Sequence, residues 1–92
     1  MEKADVSLHE VRVFQLLRAN PKRWFTNVEI ANEAQVARRT ARLHTLRFVK
    51  LGLLDLAQVF PGHRYRWAQK SSNRNAAYVL RLEKAMEAFG VL

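Results

Sequence analysis

The stretch from Val36 to Leu54, VARRTARLHTLRFVKLGLL, constrains the fold more than any other part of the chain. It contains neither Gly nor Pro before Gly52, so a helix can continue to that glycine, whose missing Cβ permits the left-handed turn that ends helices. Ala41, Thr45 and Phe48 recur at the spacing that turns one side of a helix inward. The sequence therefore predicts a helix with one buried face and a basic face directed to solvent.

Basic charge is concentrated around this helix. Residues 36–66 contain seven basic residues and one acidic residue, a net charge of +6, whereas the rest of the chain has nine basic and seven acidic residues, a net charge of +2. The seven are Arg38, Arg39, Arg42, Arg47, Lys50, Arg64 and Arg66. Such a localised excess favours a polyanionic partner.

Length and composition narrow the class of protein. A chain of 92 residues forms one small domain, and the absence of cysteine excludes disulfides and thiolate metal sites. The N-terminal residues MEKADVSLHE lack the apolar core of a signal peptide, and no apolar run approaches the roughly 20 residues that span a bilayer. We expect a soluble cytoplasmic protein associated with the nucleoid, with no membrane contact, metal, cofactor or evident small-molecule ligand.

Two capping patterns precede the basic helix. Ser7 followed by Glu10, and Thr26 followed by Glu29, have the spacing at which each side chain can bond a backbone amide at a helix start. Asn20-Pro21 ends the first helix, and Trp24-Phe25 suits a brief β segment. The second helix is about two turns long. A turn at 35–37 then leads into the basic helix, which is a helix-turn-helix arrangement.

After Gly52 the spacing of the apolar residues changes from the helical pattern to the alternation that is typical of β-strands. Leu54, Leu56, Gln58 and Phe60 form one face of a predicted strand, Arg64 to Trp67 form a second strand, and Pro61-Gly62-His63 joins them as a hairpin. A last helix is predicted from Arg74 to Phe89, capped by Ser72 or Asn73. The aromatic residues are predicted to fill the core rather than to stack bases: Trp24, Phe25, Phe48, Phe60 and Trp67.

In this order the elements resemble a winged helix-turn-helix DNA-binding domain, similar to transcriptional regulators of the MarR and ArsR type. The matching segments are TNVEIA (26–31), VARRT (36–40) and GLL (52–54), and the resemblance covers Leu8 to Trp67. It implies an α+β, mainly α fold with three core helices, a β-hairpin wing and an extra C-terminal helix. Residues 1–68 would form the winged domain, and residues 69–92 a connector and a dimerisation helix. Thr45 departs from the pattern, which usually has a large aliphatic residue there, and so do Leu43 and Leu46.

Double-stranded DNA is the expected partner. An arginine fork matches the O6 and N7 acceptors of guanine in the major groove, although the sequence does not decide which arginine reads a base. The predicted DNA-binding residues are Arg38, Arg39, Thr40, Arg42 and Arg47 on the helix, and His63, Arg64 and Arg66 on the wing. The plainer alternatives are a solvated helix face and edge-strand charge that prevents aggregation.

The last helix carries an apolar stripe with two interpretations. Tyr78, Leu82, Ala85 and Phe89 fall at spacings of four, three and four, and Met86 widens the stripe. The stripe could pack on the first helix of the same chain or on a second copy. We favour a homodimer, because a small domain with an apolar first helix would otherwise have two apolar faces to cover.

The resulting prediction is a dimeric transcriptional repressor. The alternative is a protein-interaction or assembly module of a replication, partition or transcription complex, and non-specific chromatin or single-strand binding ranks third. An enzyme is not expected, because Glu29 and Glu33 have no catalytic partner and the serines have no neighbouring His or Asp.

Overall fold

The computed structural model describes residues 6–69 and 75–90. Its elements are α1 (Leu8–Ala19), α2 (Asn27–Ala34), α3 (Arg38–Lys50), β1 (Leu54–Ala57), β2 (Arg64–Trp67) and α4 (Ala76–Phe89). The mainly helical α+β class and the predicted order of elements are confirmed. The proposed caps Ser72 and Asn73, and the predicted first residue Arg74, lie outside the described residues.

The helix starts follow the capping patterns with one exception. Thr26 and Glu29 form the complete box at the start of α2, with Thr26 Oγ1 accepting from the Glu29 amide at 3.1 Å and Glu29 Oε1 accepting from the Thr26 amide at 2.9 Å. Ser7 Oγ likewise accepts from the Glu10 amide at 3.1 Å. The Glu10 carboxylate is buried instead and accepts from the Tyr78 hydroxyl, so the second half of that predicted box is wrong.

The core is built around α1, which contacts the other three helices and β2. Phe14 is fully buried, with its ring centroid 6.3 Å from that of Phe48 and 5.6 Å from that of Trp67, both edge to face. Such pairs add about 0.5–1.5 kcal/mol to the burial of the rings themselves. Phe14 of α1 therefore packs against both α3 and the hairpin.

The hairpin is shorter than predicted and has a third member. β1 and β2 pair antiparallel with Leu54 opposite Trp67, and Phe25 exchanges two backbone hydrogen bonds of 2.8 Å with Tyr65. This confirms the brief β segment at Phe25. The pairing ends at Ala57, so Phe60 lies in the connecting loop and is 96% exposed. Its predicted place in the core is wrong, and Trp24 is also exposed.

The apolar stripe of α4 packs on α1 within the same subunit. Leu82, Ala85 and Met86 are buried there, and an ion pair of 2.6 Å joins Arg18 of α1 to Glu83. The assignment of those three apolar side chains to a subunit interface is therefore corrected, because side chains covered by their own subunit cannot reach a second one. The two apolar faces cover each other.

Candidate nucleic-acid interface

A tight turn joins α2 to α3. Gln35 ends α2 in the left-handed region, with φ 58° and ψ 50°, and its amide bonds the Ala31 carbonyl. The Val36 amide donates to the same carbonyl at 3.0 Å. Both bonds cap the Ala31 carbonyl, and the chain is redirected within three residues, after which α3 begins at Arg38.

The inward face of α3 is the predicted one. Ala41, Thr45 and Phe48 are fully buried. Thr45 Oγ1 donates to Asn27 Oδ1 of α2 at 3.0 Å, and Asn27 Nδ2 lies 3.4 Å from the Tyr65 hydroxyl of β2. A hydroxyl at this position, where an aliphatic residue is usual, thus joins the two helices of the helix-turn-helix to the hairpin.

Three arginines project from the start of α3. Arg38, Arg39 and Arg42 are exposed, and within residues 6–69 and 75–90 no carboxylate lies at ion-pair distance from any of them. Other arginines do have such partners: Arg18 with Glu83, Arg23 with Glu33, Arg47 with Glu10, and Arg66 with Asp55. The arginines of the first half of α3 therefore present uncompensated positive charge to solvent, beside the half-buried Thr40.

The N-terminus of α3 adds to this charge. Ala37 precedes the helix without a side-chain cap, and the first turn holds no acidic residue. Cations at this end oppose the helix dipole, and the first amide groups keep their hydrogen-bond donors. The arginines and free amides at the start of α3 destabilise the helix end slightly, but the same groups favour binding of an anion such as a phosphate group.

Two predicted DNA-contacting arginines have structural partners. Arg47 Nη1 lies 3.6 Å from the buried Glu10 carboxylate, and Arg66 bonds Asp55 at 3.1 Å while its guanidinium lies 4.3 Å from the centre of the Trp24 ring. Arg66 is therefore held against the domain by Asp55 and Trp24. Arg64 is exposed, as is His63 near the hairpin tip. The DNA contacts of all four residues stay predictions.

The outward face of α3 has an apolar centre, formed by the two leucines that depart from the family pattern. Leu43 is 56% exposed and Leu46 is 48% exposed. With Arg39, Thr40 and Arg42 they line a shallow groove of about 420 Å³, which we call the α3 groove. The spacing of the two leucines from Arg39 already indicates in the sequence that all three side chains share one face of α3, because positions three, four and seven residues apart lie on the same side of a helix.

A buried polar cluster lies behind α3. His44 is buried with its ring 6.4 Å from that of Phe48, and its Nδ1 has no hydrogen-bond partner among the described residues. Burial lowers the pKa of His44, and this effect outweighs the opposing charge of Glu10. Burial also raises the pKa of Tyr78, and its hydrogen bond to Glu10 adds to that rise. Glu10, His44 and Tyr78 belong to α1, α3 and α4, so this polar cluster lies where the three helices meet.

No group of three or more His, Asp or Glu side chains in the described ranges is placed to hold a metal ion. None of the helices described has the length and apolar character needed to cross a membrane.

Three solved structures have a similar backbone, and one of them is described as a possible transcriptional regulator. A possible transcriptional regulator from Methanosarcina mazei Go1 aligns with a TM-score of 0.64 and 12% identity over 95% of this chain and 72% of that one. Ligand-free NadR aligns at 0.55 and 17% over 94% and 61%, and a mutant of Lactococcus lactis ZitR at 0.56 and 13% over 98% and 63%. The fold is a winged helix. This winged helix spans roughly two thirds of the length of those chains, and neither a family model nor a curated protein matches its sequence.

Proposed function

We propose that this winged helix binds double-stranded DNA in a sequence-specific manner and regulates transcription. The observation that carries the proposal is the exposed trio of Arg38, Arg39 and Arg42, which lack carboxylate partners in the described ranges at the start of a helix with an uncapped N-terminus. The similar backbone of a possible transcriptional regulator from Methanosarcina mazei Go1 supports it.

The arrangement suits a division of labour between base and backbone contacts. The outward face of α3 enters the major groove, where the fork of Arg39 or Arg42 bonds guanine O6 and N7. Thr40 and the first amides of α3 bind phosphate, which fixes the register of the helix. Arg64 and His63 of the wing contact the adjacent backbone.

The type of regulator is part of the proposal. We infer a repressor of the MarR or ArsR kind that acts in the cytoplasm, at the nucleoid, by occluding a promoter and without catalysis. The support is the resemblance of the segments at 26–31, 36–40 and 52–54, together with the possible transcriptional regulator of similar backbone.

The homodimer stays a prediction with altered support. The sequence favoured a dimer because the apolar stripe of α4 was expected to lie exposed in a single chain. In the structure α1 covers most of that stripe. What remains is the exposure of Phe89, at 41%, on the same helix. A dimer would place two recognition helices about 34–36 Å apart on a pseudo-palindrome.

One observation favours the second candidate, a protein-interaction module. Leu43 and Leu46 are exposed on the face that would enter the groove, and exposed apolar pairs often mark protein contacts. The charge around them favours DNA, because an interaction module has no need for three arginines that lack a carboxylate partner within residues 6–69 and 75–90.

Selection from a random pool of 30-base-pair duplexes, followed by salt titration of the selected duplex, tests the proposal. We expect enrichment of one motif and an affinity that falls steeply with salt as phosphate contacts release counterions. Salt-independent binding, or failure to bind any duplex, would exclude it.

A further inference from the structure

The outward face of α3 has an apolar middle. Leu43 and Leu46 lie four and seven positions after Arg39, so they share its side of the helix, opposite the buried Ala41 and Phe48. Arg39 and Arg42 border the two leucines toward the N-terminus, and Lys50 follows toward the C-terminus. Any partner that α3 enters must accept two isobutyl groups as well as cations.

The α3 groove restricts the chemistry of that partner. It is lined by two leucines, two arginines and one threonine, and α3 carries no acidic residue. A partner must therefore offer negative charge around a small apolar surface. The major groove of DNA has this combination, since phosphates flank it and the C5-methyl of thymine is its apolar group.

We propose that Leu43 and Leu46 select thymine by packing on its C5-methyl group in the major groove. This inference rests on the proposed function and specifies which bases the same helix face selects. Three residues of helix rise about 4.5 Å, and successive base pairs are about 3.4 Å apart. The two leucines therefore contact thymines at neighbouring base pairs, beside the guanines read by the arginines.

The other base edges are excluded by hydrogen bonding. A leucine has neither donor nor acceptor, so when it covers guanine O6 or the amino group of cytosine or adenine, that polar group loses its water partner. Thymine exposes a methyl group at the same depth in the groove. The preference for thymine thus arises from burial of a methyl group and from avoided desolvation.

The experiment removes single methyl groups from the DNA. In the duplex selected from the random pool, each thymine is replaced in turn by deoxyuridine, which keeps the pairing edge and the O4 acceptor. For the wild-type protein we expect about a fourfold loss of affinity at two neighbouring thymines, the factor for burying one methyl-sized group. L43A should abolish the loss at one of them, and L46A at the other.

Matched variants make the outcome decisive. Leu80 of α4 is as exposed as the two leucines of α3, so L80A should keep the full sensitivity to deoxyuridine. Thermal unfolding of L43A and L46A should match the wild type, since both side chains project into solvent. Enrichment of no duplex would overturn the proposed function and this inference together.

Two results would overturn this inference while leaving the proposed function intact. One is wild-type binding that no deoxyuridine substitution weakens. The other is an affinity loss in L43A and L46A that is equal for thymine and deoxyuridine duplexes, which would assign the leucines to contacts other than the methyl group, including contacts with a second protein.

Discussion

The hydroxyl of Thr45 lies 3.0 Å from Oδ1 of Asn27, so the buried side of α3 is hydrogen-bonded to the first residue of α2. Asn27 in turn lies 3.4 Å from the Tyr65 hydroxyl. The polar chain fixes the angle between the two helices at the point from which the arginines project. Its removal should affect stability and DNA binding together.

Thr45→Val should lower the free energy of unfolding by about 1–3 kcal/mol, because it keeps the shape of the side chain but leaves the Asn27 oxygen without its donor. Urea denaturation measures the change. Thr40→Val, on the same helix but half-buried, is the control and should change stability by less than about 0.5 kcal/mol. Equal stability of Thr45→Val and wild type would mean that the bond contributes nothing.

Arg39→Ala should reduce the preference for the selected duplex over competitor DNA, since a lost bidentate contact removes roughly 1–3 kcal/mol of discrimination. Arg64→Ala should lower the affinity for all duplexes alike. It should also reduce the slope of log affinity against log salt concentration by about one, the value for one phosphate contact. Lys84→Ala on α4 serves as the charge-matched control. Identical behaviour of the first two variants would contradict the separation of base from backbone contacts.

Leu82→Ala should destabilise the subunit by about 2–5 kcal/mol without changing its mass in solution, because this side chain is fully buried against its own subunit. Phe89→Ser tests the dimer directly, since Phe89 remains exposed. If the wild type is a dimer through α4, light scattering should give half the mass for that variant. A dimeric mass retained by Phe89→Ser would place the subunit contact elsewhere.

Phe60→Ala should leave the free energy of unfolding within about 0.5 kcal/mol of the wild type, since the ring projects from the loop between the strands. Phe25→Ala, which empties a fully buried position, should cost about 3–5 kcal/mol. Chemical denaturation of both variants makes the comparison. A large loss of unfolding free energy in Phe60→Ala would show that the ring is buried in the core.

Stability should fall on acidification from pH 7 to pH 5.5 because of His44. Its pKa in the folded state lies below the usual 6.5, mainly through burial, with Arg47 and His9 acting in the same direction. The unfolded chain therefore takes up the proton first, and stability present above the unfolded pKa is lost as pH falls below it. With Phe in place of His44, the urea midpoint should change less between pH 7 and pH 5.5 than it does in the wild type. An equal change in the two proteins would assign the effect to other groups.

The elements that local chemistry determines could be predicted from the sequence. Pro21 and Gly52 mark helix ends, Thr26 with Glu29 marks a start, and the inward stripe of α3 follows from its spacing. The exposure of the leading arginines follows from the same periodicity.

What could not be predicted depends on distant partners. Glu10 turns from its helix start to Tyr78, 68 residues later, and Arg66 turns to Asp55 on the opposite strand. The length of β1 depends on where pairing with β2 stops, so the position of Phe60 was not encoded locally. An apolar stripe such as that of α4 has the same spacing whether its partner is its own subunit or another.

Glu10 has a mechanical consequence for the molecule. This one carboxylate, buried on α1, bonds Tyr78 of α4 and attracts Arg47 of α3. A shift of α4 relative to α1 would therefore disturb the hydrogen bond of Tyr78 and change the negative charge that Arg47 faces. The position of α4 is thus linked electrostatically to α3 through one buried carboxylate.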